Sequence, residues 1–314
     1  MDNPKKPEIV VLLSTYNGEK YIAQQIDSIL NQKNVNVMIY IRDDGSKDNT
    51  LNIINKFIKE YDNIFLINQG VNVGWKESFN ELLYSAPKSD YYAFSDQDDV
   101  WLPNKLEMAV KKLEQVQDKP ALYYSDVMIV DEELNFIGTK KNIPPVKTSE
   151  SYLSQAYGQG CTMTFNYDAR QLYISYRLRK PVSHEAWMSI LCAYFGKIVY
   201  DSESYVYYRQ HEKNTIGVRN NVSKSEKAIN FLRNYFKNFK KGGLYCDYSK
   251  ELLEGYAAKM NEQQRKIVED YAISDKSILA RLRIVKNKNI RYYNTMGTIL
   301  FKIYILIKGN RGML

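Results

Sequence analysis

Asp96-Gln97-Asp98 sets two carboxylates two residues apart, directly after the apolar run Tyr91–Ser95 and directly before Asp99-Val100-Trp101. At the end of a strand, such a pair can share a divalent hard cation and the sugar-phosphate attached to it. The cation neutralises diphosphate charge as that group leaves. A solvated acidic turn would use the same residues, so the motif gains meaning only from what surrounds it. The chain has two histidines, His184 and His211, each inside a polar cluster, and either could complete a metal site with the acidic loop. Glu185, beside His184, is a candidate general base able to take a proton from an attacking hydroxyl, or else a solvated glutamate at a helix start.

The elements that must position these groups alternate in type. Glu8–Leu13 reads as a strand ending at Ser14-Thr15-Tyr16-Asn17-Gly18, and Ile22, Ile26, Ile29 and Leu30 then share one helical face. Val35–Arg42 reads as a second strand, broken by the turn residues Asp43-Asp44-Gly45-Ser46. Asp48 or Asn49 can cap the helix that follows. Asn63–Asn68 is a third strand, 75–85 a third helix and Tyr91–Ser95 a fourth strand. Three βα units in succession predict a parallel sheet covered by helices, which binds ligands outside the carboxyl ends of its strands. Thr15 and Tyr16, Asp44, Asn72 and Gly74, and Asp96 and Asp98 all fall in such loops. Beyond them, strands are expected at Ala121–Val130, Gly158–Phe165 (entered through glycines) and Ile198–Tyr208, with a turn near 131–135. Helices are expected at Ser183–Tyr194, Ala228–Phe239 and Glu251–Tyr271.

Composition narrows the class. The chain of 314 residues is 44% hydrophobic and 25% charged, as in an ordinary globular protein. Cys161, Cys192 and Cys246 have no CxxC spacing and read as reduced thiols. No signal-peptide core and no membrane-spanning run is present, which points to chemistry in the cytoplasm. Residues 222–314 carry a net charge of +11 and the remainder −3, and from Lys276 onward nine basic residues occur without an acidic one. The acidic part holds the motifs and the basic part is a tail, so an anionic membrane surface is the expected partner and nucleic acid is not. Within that tail, Ser277–Arg291 mixes apolar and basic residues, and Thr298–Ile307 is apolar except for Lys302. Such a segment suits an interfacial helix, or a helix packed on the catalytic domain. No GxGxxG or GxxxxGK[ST] occurs, which excludes a dinucleotide-binding dehydrogenase and a P-loop enzyme.

Taken together, Ser14–Gly18, Asp43–Ser46, Asn72-Val73-Gly74 and Ser95–Trp101 resemble the family 2 inverting glycosyltransferases. Gly160–Met163, His184-Glu185 with Trp187, and Tyr208–His211 are similar to the rhamnosyltransferase-type members that build bacterial capsules, cell-wall polysaccharides and O-antigens. The resemblance covers residues 1–220 and implies an α/β fold of GT-A type, a Rossmann-like nucleotide-binding sheet with flanking helices, followed by a C-terminal helical segment. Residues 1–100 would hold the nucleotide-sugar, residues 101–220 the acceptor, and 221–314 would form a basic helical region. It further implies that Tyr16 stacks on the pyrimidine while Thr15 and Asp44 bond its edge, with Asn72 and Gly74 in the same nucleotide-sugar site. Asp96 would hold the ribose, and Asp98 and His211 would bind Mg²⁺ or Mn²⁺. Glu185 would be the base, standing where the family usually has Asp, and Gly160 and Trp187 would shape the acceptor site. The implied reaction moves L-rhamnose from dTDP-rhamnose to a lipid-linked saccharide, at the inner face of the cell membrane to which the protein attaches peripherally. A UDP-hexose or UDP-N-acetylhexosamine donor is the alternative within the class. A nucleotidyltransferase is the rival outside it, although Ser14–Gly18 lacks the Gly- and Lys/Arg-rich character a triphosphate requires.

Overall fold

A computed structural model of the chain describes residues 5–116, 119–146, 148–155, 157–180, 182–211, 244–292 and 294–308. They fall into two compact units, residues 1–145 with 156–210 and residues 146–155 with 211–314. The expected boundary at 220/221 and the expected helix Ala228–Phe239 lie outside the described residues.

The first unit is built on a nine-stranded mixed sheet. In β1 (Glu8–Thr15) the residues Ile9–Leu13 have no exposed surface. A strand apolar on both faces belongs in the middle of a sheet covered on both sides. It lies between β2 (Asn36–Asp43) and β4 (Tyr91–Ser95), parallel to both, and β3 (Ile64–Gln69) adds in parallel outside β2. Helices α1 (Ile22–Leu30), α2 (Thr50–Glu60) and α3 (Trp75–Ser85) make the returns. Ile22, Ile26 and Ile29 of α1 are completely buried, each contributing roughly 1.5–3 kcal/mol of apolar burial. Asp48, rather than Asn49, takes the first free N–H of α2, accepting from Thr50 N at 3.1 Å.

The register decides what this half of the sheet presents. Thr15 pairs with Asp43, Leu13 with Ser95, and Asp43 with Gln69, so the four strand-end loops emerge side by side at one edge. The other half comprises β5 (Val100–Trp101), β6 (Ala121–Val130), β7 (Phe136–Lys140), β8 (Thr164–Asn166) and β9 (Lys197–Arg209), giving the order β3-β2-β1-β4-β8-β6-β9-β5 with β7 on β6. Helices α4 (Lys105–Leu113), α5 (Tyr167–Ile174) and α6 (His184–Phe195) accompany it. The two-residue β5 pairs antiparallel with β9 and thereby turns the chain back immediately after the acidic loop.

Two expected elements differ. Gly158–Phe165 is not one strand. Gly158 adopts φ +70°, Thr162 N–H bonds back to Gln159 O at 3.0 Å, and a 3-10 turn occupies Gly160–Thr162 before the short β8. In the second unit, the expected helix Glu251–Tyr271 is two, α7 (Leu244–Tyr256) and α8 (Glu262–Ile273). Asn261 and Gln264 form a reciprocal capping box that starts α8 afresh. The unit continues with α9 (Ile278–Lys286) and α10 (Thr295–Lys308), and the hydroxyls of Thr148 and Ser151 donate to Asn289 O at 2.6 and 3.1 Å. No helix among the described residues is long and apolar enough to cross a membrane.

Candidate active site

The loop after β1 is clipped to the acidic loop after β4 by Gln97. Its Oε1 accepts from Thr15 Oγ1 at 2.6 Å and from Tyr16 N at 2.8 Å, while its Nε2 donates to Tyr16 O at 3.1 Å. A Cβ at Gly18 would collide with that same Oε1, which explains the glycine. The middle residue of Asp96-Gln97-Asp98 is thus the clasp of the site. Sequence reasoning passed over it because a glutamine between two aspartates carries no signal of a partner some eighty residues away. Thr15 is buried under this clasp, whereas the Tyr16 ring is 43% exposed. Asn17 (φ +49°) ties the first loop to the second, its N–H donating to Ser46 Oγ and its Oδ1 accepting from Lys47 N, both at 2.8 Å.

Asp44 is buried and faces the third loop. Its Oδ1 accepts from Val73 N at 2.8 Å and from the buried Arg42 guanidinium at 2.6 Å, and its Oδ2 accepts from Gly74 N at 2.9 Å. Arg42 also bonds Glu81 of α3 at 2.5 Å. Asn72 Oδ1 accepts from Gly74 N at 3.2 Å, and Gly74 turns into α3 at φ +82°, a left-handed conformation suited to glycine. Thr15, Tyr16, Asp44, Asn72 and Gly74 therefore converge through one hydrogen-bonded set of loops.

The acidic loop is held from the opposite side by β9. Arg209 N donates to Asp99 Oδ1 at 3.3 Å and Arg209 Nε to Asp98 O at 2.9 Å. Burial first, then the charges of Asp98 and Glu185, push Asp96 up to about 7. Burial first, then the charges of Asp98 and Asp96, drive Asp99 well above the carboxylate range, and Cys161 is hydrogen-bonded to it. Donor atoms of Asp96, Asp99 and Cys161 lie within 4.8 Å of one another. Burial holds the Cys161 thiol protonated, so it belongs to the packing behind the loop, as does Lys105. The ammonium of Lys105 is buried 3.6 Å over the Trp101 ring, and burial lowers it to about 7. Carboxylates raising one another's pKa, with oxygen donors in front and a protonated thiol behind, suit a hard divalent cation. Asp96 and Asp98 are partly exposed, whereas Asp99 and Cys161 are buried.

Across from this loop stands the start of α6. Ser183 Oγ accepts from Ala186 N at 3.3 Å, capping the helix and setting Glu185 in its first turn. Glu185 is near enough to Asp96 for its charge to raise that group. His184 is enclosed by aromatic rings, stacked on Phe79 at 3.8 Å and edge-on to Phe94 at 4.4 Å and Trp75 at 5.8 Å. Its Nδ1 lies 3.3 Å from Glu185 Oε2, yet burial outweighs that attraction and lowers the imidazole to about 4. It is a neutral ring at ordinary pH. Gly160 lies against the same pair, since a Cβ there would stand 3.0 Å from His184 Nε2 and 3.9 Å from Glu185 Cβ. Trp187 is fully buried in α6. His211 follows β9 and belongs to the second unit.

Comparison with known proteins accords with this arrangement. The family described as Glycosyl transferase family 2 matches residues 10–170. A dTDP-rhamnosyl transferase, RfbG of Shigella flexneri, is 30% identical over 236 residues, covering 71% of this chain and 79% of its own. An uncharacterised glycosyltransferase of Nostoc is 29% identical over 256 residues, covering 74% of this chain and 75% of its own. Among solved structures, S. aureus TarS 1–349 in complex with UDP-GlcNAc aligns with a TM-score of 0.55 at 14% identity, over 96% of this chain and 89% of that one. The mannosyltransferase PcManGT of Pyrobaculum calidifontis, in complex with GDP-Man and Mn²⁺, aligns with a TM-score of 0.54 at 11% identity, over 98% and 88%. The chain belongs to glycosyltransferase family 2 and is a glycosyltransferase of α/β, GT-A-like fold, which sets the nucleotidyltransferase reading aside.

Proposed function

We propose that the protein is an inverting glycosyltransferase that moves L-rhamnose from dTDP-rhamnose to a lipid-linked saccharide in bacterial surface polysaccharide synthesis. The observation that carries the reaction type is the opposition of Glu185, at the start of α6, to the acidic loop after β4, close enough for its charge to raise Asp96. The 30% identity to a dTDP-rhamnosyl transferase favours the donor. A UDP-hexose or UDP-N-acetylhexosamine donor is the second reading, favoured by the UDP-GlcNAc complex of the TarS neighbour.

In this reading the exposed Tyr16 ring stacks on the pyrimidine. Thr15, Asp44, Asn72 and Gly74 build its pocket, Asp44 chiefly by holding the N–H groups of Val73 and Gly74 in place. Asp96 holds the ribose. Asp98 and His211 would hold Mg²⁺ or Mn²⁺, which would supply charge neutralisation for the departing diphosphate. Glu185 accepts the proton of the acceptor hydroxyl, whose oxygen bonds to the anomeric carbon from the face opposite the diphosphate. The bond to the diphosphate breaks with its electron pair, and the configuration inverts. Gly160 lets its loop pack closely on His184 and Glu185 and so shapes the acceptor side, and Trp187 supports α6 beneath it. The acceptor's lipid places the enzyme peripherally at the inner face of the membrane.

The test is a panel of dTDP-, UDP- and GDP-sugars assayed for hydrolysis and thermal stabilisation, with Mn²⁺ and with EDTA. Stabilisation by dTDP-rhamnose with Mn²⁺, lost in EDTA and in Asp98→Ala, is expected. Full activity in EDTA would refute the metal role, and preference for a UDP-sugar would refute the donor.

A further inference from the structure

Helix α10 has two different apolar faces. Its inner face buries Phe301, Tyr304 and Ile305, with the Phe301 ring 5.2 Å from Tyr292 and 5.9 Å from Tyr245 within the same unit. Its outer face exposes Met296, Ile299, Ile303 and Leu306, between 39% and 62% of each. The spacing of three, four and three residues aligns them in one stripe. A helix packed on its own unit normally turns polar residues outward, whereas here four large apolar side chains are exposed, with Thr295 at the helix start beside them. The adjoining helix repeats the pattern. In α9, Ala280 and Ile284 face inward, while Ile278, Leu279 and Leu282 are exposed. Arg281 donates to Leu306 O at 3.4 Å, tying α9 to the last turn of α10.

The charge around these faces identifies what covers them. Lys276, Lys286, Lys288 and Arg291 are all exposed, and no acidic residue occurs after Asp275. A second copy of the chain is a poor occupant, because a two-fold contact sets the same patch against itself. Basic residues would then meet their own copies, and the carboxylate beside them, Asp270, is already paired with Arg283. An anionic bilayer satisfies both features, taking the apolar side chains below its headgroups and the lysines and arginines among its phosphates.

We propose that the outer faces of α9 and α10 dock the protein on an anionic membrane, with the inner face of α10 remaining packed on its own unit. This rests on the reading of a membrane-bound acceptor and deepens it. Attachment then needs no unfolding of the tail, so substitutions on the outer face, and not truncation, isolate it.

The experiment uses the full chain, sucrose-loaded vesicles of phosphatidylcholine alone or mixed equally with phosphatidylglycerol, and the variant Ile299→Glu/Ile303→Glu. The wild type should sediment with the mixed vesicles and much less with phosphatidylcholine, with added salt weakening but not abolishing attachment. The variant should partition about tenfold less or worse, with an unchanged melting curve and unchanged hydrolysis of the nucleotide-sugar in solution. If the two glutamates unfold the protein, Ile299→Gln/Ile303→Gln gives the same reading more gently. A folded variant that sediments like the wild type overturns the assigned face while leaving membrane attachment intact. A wild type that ignores anionic vesicles overturns both. A wild-type dimer that the variant converts to monomer, with vesicle binding unaltered, assigns the stripe to a second copy and also overturns the proposal.

Discussion

His184 offers a sharp test of the site's electrostatics, because burial and ion pairing predict opposite pH behaviour. The ring is enclosed by Phe79, Phe94 and Trp75, and the acidic group beside it is Glu185, 3.3 Å from Nδ1. If burial wins, the folded-state pKa is about 4 against an ordinary 6.5. The unfolded chain then binds more protons than the fold across that window. Stability is therefore fully present above pH 6.5 and is lost as pH falls toward 4. Linkage from these two values gives a loss of about 2 kcal/mol between pH 8 and pH 5, rising to about 3 kcal/mol below pH 4. His184→Leu removes the titration. It also removes ring stacking, but that loss is the same at every pH. Urea unfolding of both proteins at pH 8, 6.5 and 5 should show the wild type losing about 2 kcal/mol more than the variant, since other titrating groups are common to both. Parallel pH profiles would refute the buried neutral ring. A wild type that gains stability relative to the variant at low pH would show that His184 and Glu185 form an ion pair.

Three further outcomes follow from particular contacts. Glu185→Gln keeps the helix start and its shape but removes the proton acceptor, so transfer should fall by about 10²–10⁴-fold with donor affinity retained; unchanged transfer in an acceptor assay would assign the base to another group. Asp44→Ala removes one partner of the buried Arg42 and the acceptor for Val73 and Gly74 N–H. The fold should lose about 3 kcal/mol, the low end for a broken buried pair because Glu81 remains, and affinity for the free nucleoside diphosphate should drop as well; calorimetry showing neither change would refute the role given to this carboxylate. Gly196→Ala would overlap the carbonyl oxygen of Pro120 where Lys197 N bonds it at 2.8 Å, and should lower the melting temperature by several degrees, at about 1–3 kcal/mol for overpacking.

Local pattern alone made the first half of the sheet legible. The continuous apolar run Ile9–Leu13 reads directly as a central strand, the spacing Ile22, Ile26, Ile29 as a buried helical face, and the polar residues after each apolar run as strand-end loops. Strand-end loops of a parallel sheet share an edge, so the convergence of Thr15, Tyr16, Asp44, Asn72, Gly74, Asp96 and Asp98 was readable before any coordinate. Periodicity of 2 or 3.6 residues, however, describes a segment and says nothing about its partners. That Gln97 would clasp Tyr16, that Asp44 would turn to Val73 and Gly74, and that β5, only two residues long, would lock the acidic loop against β9 all depend on pairs far apart in the chain. The aromatic enclosure of His184 draws on α3, β4 and α6 together. For α10, the composition Thr298–Ile307 announces an apolar helix but not which residues face inward. Burial is a property of the assembled unit, and only there do Phe301 and Ile305 become core while Ile299 and Ile303 are left to solvent.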